Sequence, residues 1–329
     1  MAKSCCPDQP NIDFEEFVSR VQGFRLELLQ IDQGAFRGDG LQADLGDALL
    51  GTVRFGRAFV QTWRPPAQST TIAVRTSRAP AFWQGISFGS SDLLIGASEA
   101  EIELVSQPGF GIASASFPDH EFRRAAALCG CSSAVDNVKC IMVRLPKAHA
   151  AHAIRTAIRA LISEMLAHPS DARDPKREQT KRDDLLHRVV LTASSGVPFA
   201  PSKHDAERAR LLEQAVAVIR GRPADALTVA ALCRITGASE RTLHSAFVER
   251  YGLPPARFMK VYRLNGARRA FGRIAPQDVK ISDVANTWGF WHLGQFAKDY
   301  RRWFGELPSE TCRRHQVENY PLARRSTTL

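Results

Sequence analysis

Two stretches near the carboxyl end repeat one pattern, and that repeat constrains the fold more than any other feature. Residues 227–251 run through an apolar helix-forming stretch (LTVAALCRIT), a glycine at Gly237 and a second helix-forming stretch (SERTLHSAFVERY). Residues 281–304 do the same with ISDVANTW, Gly289 and HLGQFAKDYRRWF. Each copy places a small residue four positions before the turn glycine, Cys233 in one and Ala285 in the other. Two helices that cross closely at a sharp bend need this arrangement, because the small side chain lets the axes approach and the glycine lets the chain reverse. The turn glycines are 52 residues apart, with a helix-forming stretch around 256–271 between them. Repetition predicts one supersecondary unit used twice, here a helix-turn-helix.

Charge follows the repeat. The chain has 329 residues and a net charge of +10. Residues 222–329 hold 18 Lys/Arg against 9 Asp/Glu, whereas residues 1–221 hold 26 against 25. The excess therefore sits beside the helix pairs, where a domain that neutralises phosphates needs it. A length above 300 residues predicts two domains. No apolar run is long enough to span a bilayer and the first residues do not form an apolar signal segment, so a cytoplasmic, nucleoid-associated protein without membrane contact is expected. Seven cysteines without a regular framework suit a reducing compartment. Cys129, Cys131 and Cys140 form the one cluster where a soft-metal or redox role is conceivable, but small buried or half-buried thiols are the favoured explanation; no cofactor is expected.

Before the repeat the character is different. From Phe24 to Val143 short β-like stretches alternate with glycine, proline and aspartate: FRLELLQI, DALLGTVRF, STTIAVRT, DLLIG, AEIELVS and KCIMVRL. Many alternate with a period of two. A short helix over 119–129 interrupts them, and the whole predicts a sandwich or open barrel that can enclose a ligand. A long helix follows over 148–166, with Ile154, Ile158, Leu161, Ile162 and Met165 on one stripe. The polar stretch 169–183 reads as a linker. The expected division is 14–168 for the sheet-rich domain, 169–202 for a linker and connecting helix, and 203–316 for the helical domain, with helix-turn-helix units at 227–251 and 281–304.

Helical phase assigns faces. In the second helix of the first copy Leu243 and Phe247 point inward with Ala246 beside them, leaving Arg241, His244 and Ser245 outward as base-reading candidates. Arginine offers two donors to guanine O6 and N7. In the second copy Phe296, Tyr300 and Phe304 point inward; Gly294, Lys298 and Arg301 lie opposite, with Gln295 to one side. Arg263, Arg268, Arg269 and Arg302 are phosphate-clamp candidates, each of which a solvated face would also explain. Gly294 either lets the backbone approach a groove closely or packs tightly against another helix. Trp288, Phe290 and Trp291 are expected in the mini-core of the turn, and His292 at a helix start. Two such helices entering successive major grooves must lie about 34 Å apart.

Residues 208–316 resemble the DNA-binding domain of the AraC/XylS family of bacterial transcription regulators. The resemblance is carried by LTVAALCRITGASERTLHSAFVERYGLPPARFMKVYRL and by ISDVANTWGFWHLGQFAKDYRRWFGELPSE. Its most specific part is the end, where GF follows the turn and FGELPSE follows the helix. That end is also similar to the ethanolamine-utilisation regulators within the family. The resemblance implies an α+β chain: an N-terminal sheet-rich sensor domain, cupin-like or a β-sandwich with flanking helices, and a C-terminal all-α domain of two helix-turn-helix units joined by a linker helix. It also implies an activator of a metabolic operon that binds double-stranded promoter DNA, recruits RNA polymerase, responds to a small-molecule effector and forms a homodimer through the sensor. The family's base-contact positions fall on Arg241, His244 and Ser245, and on Gly294, Gln295 and Lys298; Arg301 and Arg302 complete the DNA-binding set. Gly294 and Ala297 replace larger side chains found in many members, so the second helix is expected to make sparse base contacts.

Rival readings fare worse. A cupin oxygenase needs two or three histidines on its strands, but the first histidine here is His120, beyond most of them. A DNA-repair methyltransferase fused to such a domain needs a zinc-binding cysteine set, and Cys5 and Cys6 lack the partners. No Ser/His/Asp set or phosphate-binding loop stands out, so no catalytic residue is assigned. An architectural DNA-binding protein, or a repressor without an effector, is the remaining alternative; the long sheet-rich half argues against it.

Overall fold

The computed structural model describes residues 3–4, 14–98, 100–130, 140–167, 174–199, 201–222, 227–273 and 280–318. The chain divides into two compact units. One holds residues up to Leu28 and Phe36–Ser202; the other holds Leu29–Ala35 and the chain from Lys203 onward.

The first unit opens with β1 (Lys3–Ser4), α1 (Phe14–Arg20), β2 (Arg25–Gln30, whose last two residues belong to the second unit), β3 (Gly38–Leu45), β4 (Ala48–Phe55), β5 (Phe59–Arg64) and β6 (Ser69–Arg75). It continues with β7 (Ala81–Trp83), β8 (Ile86–Ser87), β9 (Asp92–Gly96), β10 (Ile102–Ser106), β11 (Phe110–Pro118) and α2 (Asp119–Leu128). It ends with β12 (Cys140–Arg144), α3 (Ala148–Ala167), α4 (Pro175–Ser194) and β13 (Val197–Pro198). One sheet has the order β1-β3-β4-β11-β6-β9-β12-β13 and the other β2-β5-β10-β7-β8. All strands of the larger sheet pair antiparallel, as do β5, β10, β7 and β8 of the smaller one.

The centre of the larger sheet is covered on both faces, which explains the nearly unbroken burial of β6, β9 and β11. Leu50, Ile72, Val74, Ala113, Ala115 and Phe117 form one core with Phe122 of α2, Ile154 and Ile158 of α3, and Leu185 and Val189 of α4. Phe17, Phe36, Phe55 and Phe59 form a second cluster, with ring centroids 5.3–6.5 Å apart. Each such ring contributes about 1.5–3 kcal/mol by leaving water, and tilted ring pairs add roughly 0.5–1.5 kcal/mol.

The structure corrects the expected linker. From Pro175 the polar stretch is the first half of α4, started by Asp174, whose side chain accepts from the Lys176 N–H at 3.0 Å, and by proline in the first turn. Its apolar stripe, Leu185, Leu186, Val189 and Val190, begins only after the charged run, and Arg182 is itself buried against Glu121 and Asp183. The charged run is the mostly exposed first half of the helix and carries no apolar period of its own.

The second unit comprises α5 (Lys203–Gly221), α6 (Val229–Thr236), α7 (Glu240–Tyr251), α8 (Pro255–Arg273), α9 (Ile281–Thr287), α10 (Leu293–Phe304) and α11 (Pro308–Glu318). Phe247, Tyr251 and Phe258 stack in its first half with centroids 4.5–5.6 Å apart. Phe271, Phe296, Tyr300 and Phe304 do so in the second, at 4.7–6.0 Å. A polar knot is buried between helices and Leu29–Ala35. Asn265 Oδ1 accepts from the Gln30 N–H at 2.9 Å, and its Nδ2 donates to Gln30 O at 3.0 Å and Val261 O at 2.9 Å. The Trp303 indole N–H donates to the same Gln30 O at 3.1 Å. Among the described residues, no helix is long and apolar enough to cross a membrane.

Candidate nucleic-acid interface

In the first helix-turn-helix, Thr228 caps α6 by accepting from the Ala231 N–H at 3.1 Å, and Ser239 caps α7 by accepting from the Thr242 N–H at 3.1 Å. These bonds satisfy amides that a helix start leaves open. Between them Gly237 turns the chain with φ 69°, a left-handed value that glycine adopts without strain. Gly289 does the same in the second copy with φ 75°. Cys233 is half-buried and Ala285 fully buried at the crossings.

The inward stripes follow the helical phase: Leu243, Ala246 and Phe247 on α7, and Phe296, Tyr300 and Phe304 on α10, are buried. Arg241 and His244 are exposed on α7, as are Gly294, Gln295, Lys298, Arg301 and Arg302 on α10. None of the cations Arg241, Lys298, Arg301 and Arg302 has a protein partner among the described residues. Four solvated cations on two recognition helices leave their full charge for phosphates or base edges.

Ser245 is different. Its hydroxyl accepts from Arg208 Nη2 on α5 at 3.1 Å and donates to Glu249 Oε1 at 3.1 Å, while Arg208 and Glu249 are ion-paired at 2.6 Å. A base would have to displace this network to be read by Ser245. Arg268, expected as a phosphate clamp, is buried: it pairs with Glu306 at 2.7 Å and its guanidinium lies 4.7 Å from the Phe304 ring centroid. It locks α8 to the turn after α10. Arg263 and Arg269 are half-buried, and Arg302 is exposed as a clamp requires.

The aromatic residues of the second turn divide. Phe290 packs on Phe296 with centroids 4.9 Å apart, and Trp288 lies across Gly266 of α8 and edge-on to Tyr262. Trp291, expected in the mini-core, is 70% exposed, because Phe290 already fills the inward position of the turn. Leu293, which the sequence reading passed over, is also exposed at the first position of α10. By helical phase it lines up with Tyr300, two turns on, so no local signal marked it as exposed. A thymine methyl is the kind of base edge that such an apolar side chain matches. His292 stands at the start of α10 without making a side-chain cap bond. At Gly294 a Cβ would meet nothing within 4 Å, which removes tight helix packing as the reason for that glycine.

Of the cysteine cluster, Cys140 is the member whose surroundings hold the proton on sulfur. Burial pushes the Cys140 thiol up to about 12, Cys129 is half-buried, and Cys131 lies outside the described residues. Among the described residues, no group of three or more His, Cys, Asp or Glu side chains is arranged to hold a metal ion.

A family model described as a helix-turn-helix domain matches residues 232–314. The probable thc operon regulatory protein of Rhodococcus erythropolis is 35% identical over 143 residues, which is 39% of this chain and 42% of that protein. The XylDLEGF operon transcriptional activator 2 of Pseudomonas putida is 30% identical over 106 residues, 32% of this chain and 68% of that activator. The crystal structure of a probable AraC family transcriptional regulator from Rhodopseudomonas palustris CGA009 is 33% identical, with a TM-score of 0.30, over 32% of this chain and 98% of that one.

Proposed function

This chain belongs to the AraC/XylS family, and on that footing we propose that it is a sequence-specific DNA-binding transcription regulator, an activator of a metabolic operon that responds to a small-molecule effector. The observation that carries the reading is the pair of recognition helices whose outward faces hold Arg241 on α7 and Lys298, Arg301 and Arg302 on α10 without protein partners among the described residues. Arg241 and His244, with Gln295 and the backbone at Gly294, read base edges; Lys298, Arg301 and Arg302 hold phosphates and set the register. Ser245 contributes by positioning, through Arg208 and Glu249.

Activation is favoured over repression because the similar proteins include a transcriptional activator of an operon. RNA polymerase is the partner that role requires, the cytoplasm is its place, and a homodimer through the sheet unit is the expected assembly. The role requires no catalytic residue.

Genome-wide footprinting of the tagged protein tests the proposal. A few sharp sites upstream of one operon, with binding that weakens steeply as salt rises, are expected. Diffuse binding without preferred sites would instead support an architectural protein.

A further inference from the structure

A row of small residues runs across the middle of the larger sheet. Gly51 of β4, Ser114 of β11 and Ala73 of β6 stand side by side in register on adjacent strands. Where larger residues fill the space between the sheets elsewhere, this row leaves a recess. A cavity of about 70 Å³ lies there, with Phe55 and Ile112 on one side and Gln61 and Trp63 of β5 on the other. Half-buried Phe24 and Leu26 also line it, and the Phe24 ring stands edge-on to Trp63 at 5.8 Å.

The polar groups inside are few. Gln61 is 3% exposed, and its amide nitrogen donates to Ser106 Oγ at 2.7 Å. Among the described residues no donor reaches its carbonyl oxygen, and the Ser114 hydroxyl has no partner either. Gln42 is already engaged, donating to Gln22 O and accepting from Gln22 N, both at 2.9 Å. No charged side chain lines the cavity. A carboxylate or ammonium entering it would shed its water and meet no counter-charge, the most unfavourable kind of burial. An uncharged molecule avoids that penalty, and an O–H or N–H on it answers the open oxygen of Gln61.

We propose that this cavity binds a small uncharged molecule with an apolar body of at most one ring and a hydroxyl or amide group that donates to Gln61. That this molecule is the effector rests on the function proposed above. The cavity has about half the volume, roughly 150 Å³, of an apolar cavity known to take one benzene. A ring therefore enters only as Phe24 and Leu26 shift outward, so binding moves the beginning of β2.

The test titrates phenol and benzyl alcohol, with benzoate as the charged counterpart, into the full chain by calorimetry and thermal melting near neutral pH. The neutral probes are expected to bind about tenfold or more tightly than benzoate, and Gln61→Leu to weaken phenol by a similar factor. Ser114→Ala provides the second variant if Gln61→Leu folds poorly. Equal or tighter binding of benzoate, phenol affinity untouched by both variants, or no binding of either neutral probe at millimolar concentration overturns the assignment. Promoter binding by the same protein without probe separates the two readings. Phenol bound in this way without any DNA binding upholds the cavity and sinks the regulator, whereas promoter binding with a response to benzoate alone does the reverse.

Discussion

Replacing Gly294 by alanine tests the recognition helix of the second copy. Gly294 is the second residue of α10, it is exposed, and a methyl there meets no atom within 4 Å. Folding should therefore gain from the substitution, since glycine within a helix is about 0.5–1 kcal/mol less favourable than alanine. In a unit of this size that raises Tm by roughly 2–6 °C. DNA binding should move the other way. If the bare backbone lies against the groove, the added methyl is an overpacking defect of about 1–3 kcal/mol, or roughly 5- to 150-fold in Kd. Thermal melting and fluorescence anisotropy with a promoter duplex at fixed salt read both effects on one preparation. A higher Tm with unchanged affinity would refute the close approach; an unchanged or lower Tm would refute the account of the open space. Gly266→Ala is the control, because its methyl would fall 2.1–2.4 Å from three ring carbons of Trp288. There the clash overwhelms the helix gain, and the protein is expected to lose about 1–3 kcal/mol of stability.

Three further outcomes are expected. Arg241→Ala should relax preference at one or two base pairs, weakening the specific site by about 1–3 kcal/mol while leaving random-sequence DNA nearly unaffected; selection from a randomised duplex pool reads this. Lys298→Ala should weaken all sequences alike and reduce the slope of log K against log salt by about one, as a lost phosphate contact does. Cys140 should resist alkylation: its thiol is raised from 9.0 to about 12 by burial, so the folded protein holds the proton that the unfolded chain releases. Its contribution to stability is full below about pH 9 and is lost as pH rises toward about 12. Labelling of a variant that keeps only Cys140, native against unfolded at mildly alkaline pH, shows whether the thiol is shielded.

The helical unit was more legible than the sheet unit, for a physical reason. Its signals are local: Ser239 before α7, Gly237 and Gly289 at the turns, and stripes such as Leu243/Phe247 and Phe296/Tyr300/Phe304 all lie within one helix's reach. The strands rich in Leu, Ile and Val, such as β4, β6 and β9, were visible too. β3, β5 and β11 were not marked out. β11 (FGIASASFP) is built from small residues and is buried on both faces, so it shows no alternation. The site was legible as to which side faces outward and not as to what each outward residue does. That Ser245 is held by Arg208 and Glu249, that Arg268 is paired inside the unit, and that Trp291 is left outside depend on neighbours distant in sequence. The row of Gly51, Ser114 and Ala73 depends on strand register, which no single strand records.

The knot around Gln30 has a bearing on how the protein can be dissected. A fragment that starts at Lys203 carries every helix of the second unit and still lacks Leu29–Ala35. In that fragment Asn265 keeps only its bond to Val261 O, and the Trp303 indole loses its acceptor. Both side chains, buried in the whole chain, then face water. The smallest faithful piece is two separate lengths of polypeptide, 29–35 and 203 onward, supplied together or joined by a tether. A cut placed by sequence position alone would report on a wounded surface rather than on the regulator's own DNA-binding body.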